Sequence, residues 1–550
     1  MSRTGRDALL EVLRSEGVTH IFGNPGSTEL PLIDALAAVG DIEYVLALQE
    51  ASVIGMADGY ARASGRPAVV NLHTSAGVGN AIGGLTNAMA NGAPMVVTAG
   101  QQDYRHIASD PLLSGDLVGL ARATTKWAHE VRTLDELGTV LRRAFHDAMA
   151  PPRGPVFVSL PMHILDESGE APVPAPSRIE RGSVAARLDE LASIVAATPP
   201  DRLAIVVGDE VAQDAAVDAA VELAEAIGCA VYANPLVGSV VFPTNHPLYR
   251  GALAPFGAVL SSTLAPFERV LAIGDQLFKT YPYTPGPVVP EHVEILHLAS
   301  DAHALGRTYA VAFGASGDLR ASLEALVPLV RELVDLGAAG ERVAAAATAA
   351  ADGRRKLAEA ALLSYDSVPM PPNAMAHALF AGLPDDVTVV DEAITTGGAV
   401  RSFHTASRPG QWFFCRGGGL GWGMPAAVGV SLARNREPVV CVVGDGSAMY
   451  SPQALWTAAH LDLPVVFAVV NNRQYLILKN FLRRMNGSSV ATGRMIGMDL
   501  DDPPVDYVAL ARSMGVEATR VERAAEVTDA AKAAYESGRP HLLELPIAAP

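Results

Sequence analysis

Two apolar runs in the last third of the chain each stop at residues that carry hard oxygen. One run ends at Val443 and is followed by Gly444-Asp445-Gly446-Ser447; the other ends at Val470 and is followed by Asn471-Asn472. Asp445 offers a carboxylate oxygen and Asn472 an amide oxygen, donors that Mg²⁺ takes alongside phosphate oxygens and water. Gly444 and Gly446 let the backbone turn sharply and approach a ligand. A helix opening at Ser447–Ala448 would aim its free N–H groups at the same point, which suits a phosphate. One crossover helix is enough to bring two parallel strand ends together. Each half alone is ordinary. Gly-Asp after a strand recurs in "LAIVVGDE" and "VLAIGDQ", and Asn-Asn by itself is a turn signal. Together, with a helix of the right length between them, they predict half of a magnesium shell facing a diphosphate.

Such a site needs parallel strands to hold it, and the sequence reads as three α/β blocks. The first, residues 1–180, carries "THIFGN", "YVLALQ", "PAVVNLH", "PMVVTAG" and "GPVFVSLP". The second, 185–335, carries "LAIVVGD", "CAVYAN", "VLAIGDQ" and "VEILHLA". The third, 368–550, carries "VTVVDE", "PVVCVVGDGS", "PVVFAVVNN" and "HLLELP". Strands alternating with helices predict βαβ units and parallel sheets, and runs apolar on both faces suit strands covered by helices. The fold class is therefore α/β, with three doubly wound parallel-sheet domains whose ligands sit beyond the carboxyl ends of the strands. "DESGEAPVPAPSRIERGS" reads as a linker. The Ala-rich "AAGERVAAAATAAADGRRKLAEAALL" reads as a helical connector, since it lacks the Leu/Ile stripe of a core helix.

Composition narrows the partners. Hydrophobic residues make up 49% and charged residues 18%, enough apolar surface for large cores. A net charge of −18 with no basic run argues against nucleic acid or an acidic membrane. The three cysteines, Cys229, Cys415 and Cys441, show no CxxC spacing, so neither a disulfide framework nor a zinc site is expected, and a cytoplasmic location fits. "MSRTGRDALLEVLRSEG" is a charged amphipathic helix rather than a signal peptide, and no apolar run is long enough to span a membrane.

With Gly-Asp-Gly and Asn-Asn in place, the chain resembles the thiamine-diphosphate-dependent decarboxylase and carboligase family. The likeness is greatest to its benzoylformate decarboxylase branch, through "FGNPGSTELP", "LALQEASVIGMADGYA", "NLHTSAGVGNA", "VTAGQQ", "GGLGWGMPAAVG" and "GDGSAMYSPQALWTAAH". The resemblance implies a pyrimidine-binding, a middle and a pyrophosphate-binding domain in that order, matching the three blocks. It implies thiamine diphosphate and Mg²⁺ as cofactors. It puts Asp445, Asn472 and the backbone oxygen of Gln474 on the metal, and Ser447 and Tyr450 near the diphosphate, with Gly444, Gly446 and Tyr475 also at the cofactor. Glu50 would be the activating carboxylate, an apolar setting raising its proton affinity so that it can share a proton with the pyrimidine ring. By itself Glu50 reads as an ordinary helix N-terminal glutamate. Leu420 would be the apolar wedge that bends the cofactor, and the Gly418 carbonyl would accept from the pyrimidine amino group; alone, this stretch reads as a Gly-rich turn. Asn24, Pro25 and Gly26 would contact the cofactor as well. The family binds its cofactor across a subunit interface, Glu50 from one chain and Asp445 from another. A homodimer is then the minimum, and a tetramer is expected.

On the substrate side the resemblance gives Ser27 the substrate carboxylate and His73 the proton transfers, for which an unperturbed pKa of ~6.5 is suited. Their bland alternatives are a turn residue and a core histidine. One departure stands out: the branch's second active-site histidine, from the middle domain, is matched here by Tyr281, whose phenol at ~10 is a poor proton relay at neutral pH. Ile477 and Phe481 would line the substrate pocket. The expected reaction is decarboxylation of a 2-oxoacid, an aryl glyoxylate such as benzoylformate, to an aldehyde and carbon dioxide. The rival is a carboligase or lyase of the same family, benzaldehyde-lyase-like or acetolactate-synthase-like. A regulatory α/β protein without turnover is the rival outside enzymes, and Glu50, Asp445 and Asn472 speak against it.

Overall fold

A computed structural model describes residues 2–549. Three six-stranded parallel sheets carry the chain. In the first, the strands run Glu43–Leu46, His20–Gly23, Ala68–His73, Met95–Gln101, Pro155–Pro161, Ala128–Glu130 across the sheet. Numbered along the chain within the sheet, that order is 2-1-3-4-6-5, and the third sheet repeats it. Its central strands are Thr388–Glu392, Val439–Gly444, Val465–Asn471 and His541–Pro546. The second sheet follows 3-2-1-4-5-6, from Leu203–Val207 at its centre. The α/β class and parallel topology expected from the strand runs are those of the molecule.

The strands are parallel because helices cover both faces, and their composition shows it. Every residue of Pro155–Pro161 and of Val465–Asn471 is buried. In each sheet the chain reverses direction of winding beside its first strand, leaving a crevice at the carboxyl ends where ligands bind in this topology. In the first sheet that crevice lies between the ends of His20–Gly23 and Ala68–His73, so Asn24–Ser27 and His73 flank it. In the third it lies between Thr388–Glu392 and Val439–Gly444, so Glu392 and Asp445 flank it.

By contacts the chain forms two compact units: residues 1–178, 364–403 and 415–550 in one, 179–363 and 404–414 in the other. The first unit thus gathers most of both outer blocks. Within it the helix Glu50–Ser64 is capped by the Gln49 side chain, which accepts from Ala51 and Ser52 N–H, and it ends at Gly65 in the left-handed region, φ 69°. It packs against the helix Gly423–Ala433 at very short range. A Cβ at Gly59 would lie 2.2 Å from the Ala426 carbonyl, so only glycine allows this approach.

Two features differ from expectation. Inside the expected linker, Ser168–Glu170 pairs antiparallel with Ser2–Thr4; the residues after it, 171–185, carry no regular structure. Short strands of three or four residues, such as Ala128–Glu130 and Phe313–Ser316, complete sheets where no apolar run announces them. The Ala-rich segment is one long helix, Leu336–Leu362, with only Ala339 and Ala361 buried, as a connector without an apolar stripe requires.

Candidate active site

Asp445 opens a short helical turn, Asp445–Ala448, directly after Val439–Gly444. Gly444 lies opposite Val470 on the neighbouring strand, so Asp445 and Asn471–Asn472 emerge from the same end of the sheet. The two asparagines then diverge. Asn471 turns inward: its amide donates to Glu544 Oε1 at 2.8 Å and its oxygen accepts from Arg473 N at 3.0 Å. Asn472 Oδ1 accepts from Gln474 N at 3.1 Å and stays half-buried. Asp445 is buried; Oδ1 accepts from Gly446 N at 2.9 Å, while Oδ2 is buried without a hydrogen-bond partner. Burial pushes its carboxyl up, against the N–H groups of Gly446, Arg473 and Gln474, which pull it down.

An orphaned buried carboxylate oxygen is costly and needs a reason. Among the described residues no group of three His, Cys, Asp or Glu could hold a metal. Any cation here would need a mixed set of carboxylate, amide and phosphate oxygens. The free oxygen of Asp445 beside Asn472 and Gln474 fits Mg²⁺ bound in that manner. Gly446 keeps the floor open to the Tyr475 ring, since a Cβ there would lie 2.4 Å from Tyr475 Cε1. Ser447 is buried, Tyr450 is exposed, and the Tyr475 phenol, raised mainly by burial, shares a hydrogen bond with Tyr450.

The glycine-rich turn before helix Gly423–Ala433 presents Gly418 and Leu420. Gly418 has φ 72° and open space around it; Leu420 is half-buried. The turn is held from two sides. Asn87 makes a two-point pair with Gly419, Nδ2 to its carbonyl at 2.9 Å and Oδ1 from its N–H at 3.0 Å. Glu392 accepts from the N–H groups of Gly421, Trp422 and Gly423.

The third group lies at the first sheet's crevice. Glu50, buried at the start of its helix, accepts from Asn80 Nδ2 at 3.0 Å and from Asn24 Nδ2 at 3.5 Å. Pro25 is exposed, and Gly26 lies under the His73 ring, where a Cβ would be 2.2 Å from Nδ1. Ser27 is exposed and opens the turn Ser27–Glu29. His73 Nδ1 is 2.8 Å from Glu29 Oε2. Glu29 itself is buried and accepts from Gly26 N, Gly100 N and Thr28 Oγ1. Thr28 Oγ1 lies 3.2 Å from the same Nδ1, and two oxygens beside it favour the tautomer with its hydrogen on Nδ1, which leaves Nε2 outside this pair. Immediately after His73, Thr74 has φ 47° and a buried, unpartnered hydroxyl. A β-branched residue in that region is strained, and such strain gathers at functional sites.

Thus Asn24, Pro25, Gly26, Ser27, Glu50 and His73 form one group, and Gly444, Asp445, Gly446, Ser447, Tyr450, Asn472, Gln474 and Tyr475 another. No hydrogen bond joins Glu50 or His73 to Asp445 or Asn472 within the chain. Ile477 and Phe481 stand one turn apart on the helix Leu476–Met485, both half-buried and on one face. Tyr281 belongs to the second unit, where it is 59% exposed and its N–H donates to the Pro255 carbonyl at 2.6 Å. Sequence reasoning passed over Glu29, Asn80, Asn87 and Glu392. Glu392 alone had a signal: like Asp445, it ends an apolar strand.

Comparison with known proteins covers the whole chain. Three family models match: thiamine pyrophosphate enzyme, N-terminal TPP binding domain, over residues 3–128; the central domain over 190–326; and the C-terminal TPP binding domain over 395–545. Benzoylformate decarboxylase of Pseudomonas aeruginosa is 35% identical over 99% of this chain and 99% of that protein. The acetolactate synthase isozyme 3 large subunit of Escherichia coli is 27% identical over 98% of this chain and 93% of that one. Among solved structures, the thiamine diphosphate-dependent 4-hydroxybenzoylformate decarboxylase of Rhodococcus jostii RHA1 matches with a TM-score of 0.86 and 32% identity, covering 99% of both chains. Benzoylformate decarboxylase from Polynucleobacter necessarius matches with a TM-score of 0.87 and 27% identity, covering 100% of this chain and 99% of that chain.

Proposed function

The chain belongs to the thiamine pyrophosphate enzyme family, and from that premise we propose that it decarboxylates a 2-oxoacid, an aryl glyoxylate of the benzoylformate type, to an aldehyde and carbon dioxide. When bound, thiamine diphosphate supplies a nucleophilic ring carbon and a sink for the electrons of the carbon–carbon bond that breaks. The chain's residues do the rest. Asp445, Asn472 and the Gln474 carbonyl would hold Mg²⁺, with Ser447 and Tyr450 placed for the diphosphate. Leu420 and the Gly418 carbonyl would support the middle of the cofactor, and Asn24, Pro25, Gly26 and Tyr475 would complete its contacts. Glu50, buried between the Asn24 and Asn80 amides, would hold a proton at the cofactor's pyrimidine ring. Ser27 hydrogen-bonds the substrate carboxylate, and Ile477 and Phe481 pack on its aryl group.

The observation that carries this reading is the His73–Glu29 pair. Both reactions take up one proton, but a decarboxylase must deliver it to the carbon that lost the carboxylate, whereas a ligase delivers it to the oxygen of the added aldehyde. Glu29 fixes His73 with Nε2 as the proton-moving position. Glu50 and Asp445 serve one cofactor from different chains, so the active form is a homodimer at least, assembled as a tetramer. The three cysteines are free and buried, which suits the reducing cytoplasm.

A second reading, carboligation, is favoured by Tyr281 in the place of a proton-handling histidine and by the acetolactate synthase relatives. A panel of 2-oxoacids, each with and without added acetaldehyde, tests the two. Aryl glyoxylates giving chiefly free aldehyde support decarboxylation; hydroxyketones as the main product, or turnover confined to pyruvate, contradict it.

A further inference from the structure

Glu392 is 2% exposed at the end of the strand Thr388–Glu392. Its Oε1 accepts from Gly421 N at 2.7 Å and Trp422 N at 3.2 Å, and its Oε2 accepts from Gly423 N at 2.7 Å. These donors lie at the opening of helix Gly423–Ala433, where backbone N–H groups have no partner within the helix. Ser451 Oγ holds the Gly421 carbonyl at 2.6 Å. On the other flank, Asn91 Oδ1 accepts from Arg416 N at 2.8 Å, and Asn87 grips both polar groups of Gly419. The backbone is therefore fixed at 416, 419 and 421–423. Gly417 and Gly418 bond instead to the Cys415 sulfur, and Leu420 sits between the two grips.

We propose that Glu392 is a positioning residue, which with Asn87 locks the turn Arg416–Gly423 so that the Leu420 side chain and the Gly418 carbonyl are aimed before the cofactor arrives. The proposal rests on the reading of this turn as the cofactor's wedge. The residue type follows from the donor count. A carboxylate accepts all three N–H groups; glutamine has the same shape but turns an NH₂ group towards at least one of them. Asp391, next in sequence, is engaged elsewhere: it accepts from Ala393 N and pairs with Arg401, so it does not share the task. Preorganised support of this kind spares the ligand the cost of ordering the turn.

The test compares cofactor-free wild type with Glu392→Gln and Asn87→Ala. Two readouts are taken: amide hydrogen exchange over residues 416–423, and titration with thiamine diphosphate at fixed Mg²⁺. In wild type the amides of 421–423 should be protected without cofactor. Glu392→Gln should raise their exchange by roughly tenfold or more, the scale of one lost hydrogen bond to a charged group, and Asn87→Ala should raise that of the Gly419 amide, while the strand Val439–Gly444 stays protected. Cofactor affinity should fall in parallel, by about tenfold, with the KM for substrate moving much less. Unprotected amides in wild type overturn the proposal, and that result needs no variant to fold. So does a variant whose turn is loosened while its cofactor affinity is unchanged; that outcome leaves the functional reading standing. A wild-type protein that takes up no thiamine diphosphate overturns the functional reading, and the positioning role with it.

Discussion

The Nδ1 atom of His73 lies 2.8 Å from Oε2 of Glu29, a carboxylate that is buried and receives backbone N–H groups from Gly26 and Gly100 as well. The pair joins the end of the strand Ala68–His73 to the turn Ser27–Glu29, and it orients the ring. Glu29→Gln keeps the shape and removes the charge that selects the tautomer. Aldehyde formation should slow, by at most the ~10²–10⁴-fold that a positioned general acid–base group contributes. Titration of the variant with thiamine diphosphate should give wild-type affinity. An unchanged kcat would make Glu29 a structural residue.

At the metal end, the unpartnered Oδ2 of Asp445 predicts a ligand-dependent gain in stability. Mg²⁺ with thiamine diphosphate at a hundred times its dissociation constant should stabilise the protein by about 2.7 kcal/mol, read as a rise in thermal midpoint. Asp445→Asn should lose most of that rise. Prolonged chelation followed by desalting should abolish turnover, and readdition of both should restore it. A midpoint indifferent to Mg²⁺ and cofactor would remove Asp445 from the metal.

Burial pushes the Glu392 carboxyl from its ordinary 4.5 up to about 7, against the three N–H groups that pull it down. Asp391 is its charged neighbour. The facing thiols stay neutral, Cys415 pushed up to about 12 and Cys441 well above 9. Between pH 4.5 and about 7 the folded protein keeps a proton that the unfolded chain releases, so stability falls as pH rises through this window and levels off above it. The stability of wild type relative to Glu392→Gln should therefore decline by roughly 3 kcal/mol across the window. Calorimetry of both proteins from pH 4.5 to 8 measures it. Parallel curves would show that Glu392 does not titrate there.

Tyr281 stands where the resemblance puts a proton-handling histidine. Slow protonation there leaves more time for capture by an aldehyde. Tyr281→His should shift products from hydroxyketone towards free aldehyde, and Tyr281→Phe should slow aldehyde formation by about 0.5–1.5 kcal/mol, the cost of one hydrogen bond. Product ratios on benzoylformate with added acetaldehyde decide it. Wild-type rate and ratio in both variants would take Tyr281 out of the site.

Much of the scaffold was legible because buried parallel strands are continuous apolar runs, and because their carboxyl ends are where ligands gather. That is how Asp445 and Asn472 could be picked out; Glu50 and His73 came from the resemblance, since alone they read as a helix-start glutamate and a core histidine. Glu392 ends the run "VTVVDE" in the same way and was passed over, since its partners are three backbone N–H groups that leave no mark in the sequence. Glu29 was missed for a related reason: its partner His73 is brought to it only when their two strands pair. The short edge strands Tyr249–Ala252 and Glu517–Arg520 gave no signal, because strands of four residues at a sheet edge bury too little to need an apolar run.

The most direct measurement uses benzoylformate labelled with ¹³C at its carboxyl carbon and cofactor-free protein, followed by NMR before and after addition of thiamine diphosphate and Mg²⁺. The account predicts no reaction before addition, and after it ¹³C-labelled carbon dioxide appearing in step with benzaldehyde. Label release without the cofactors, or none with them, would contradict it.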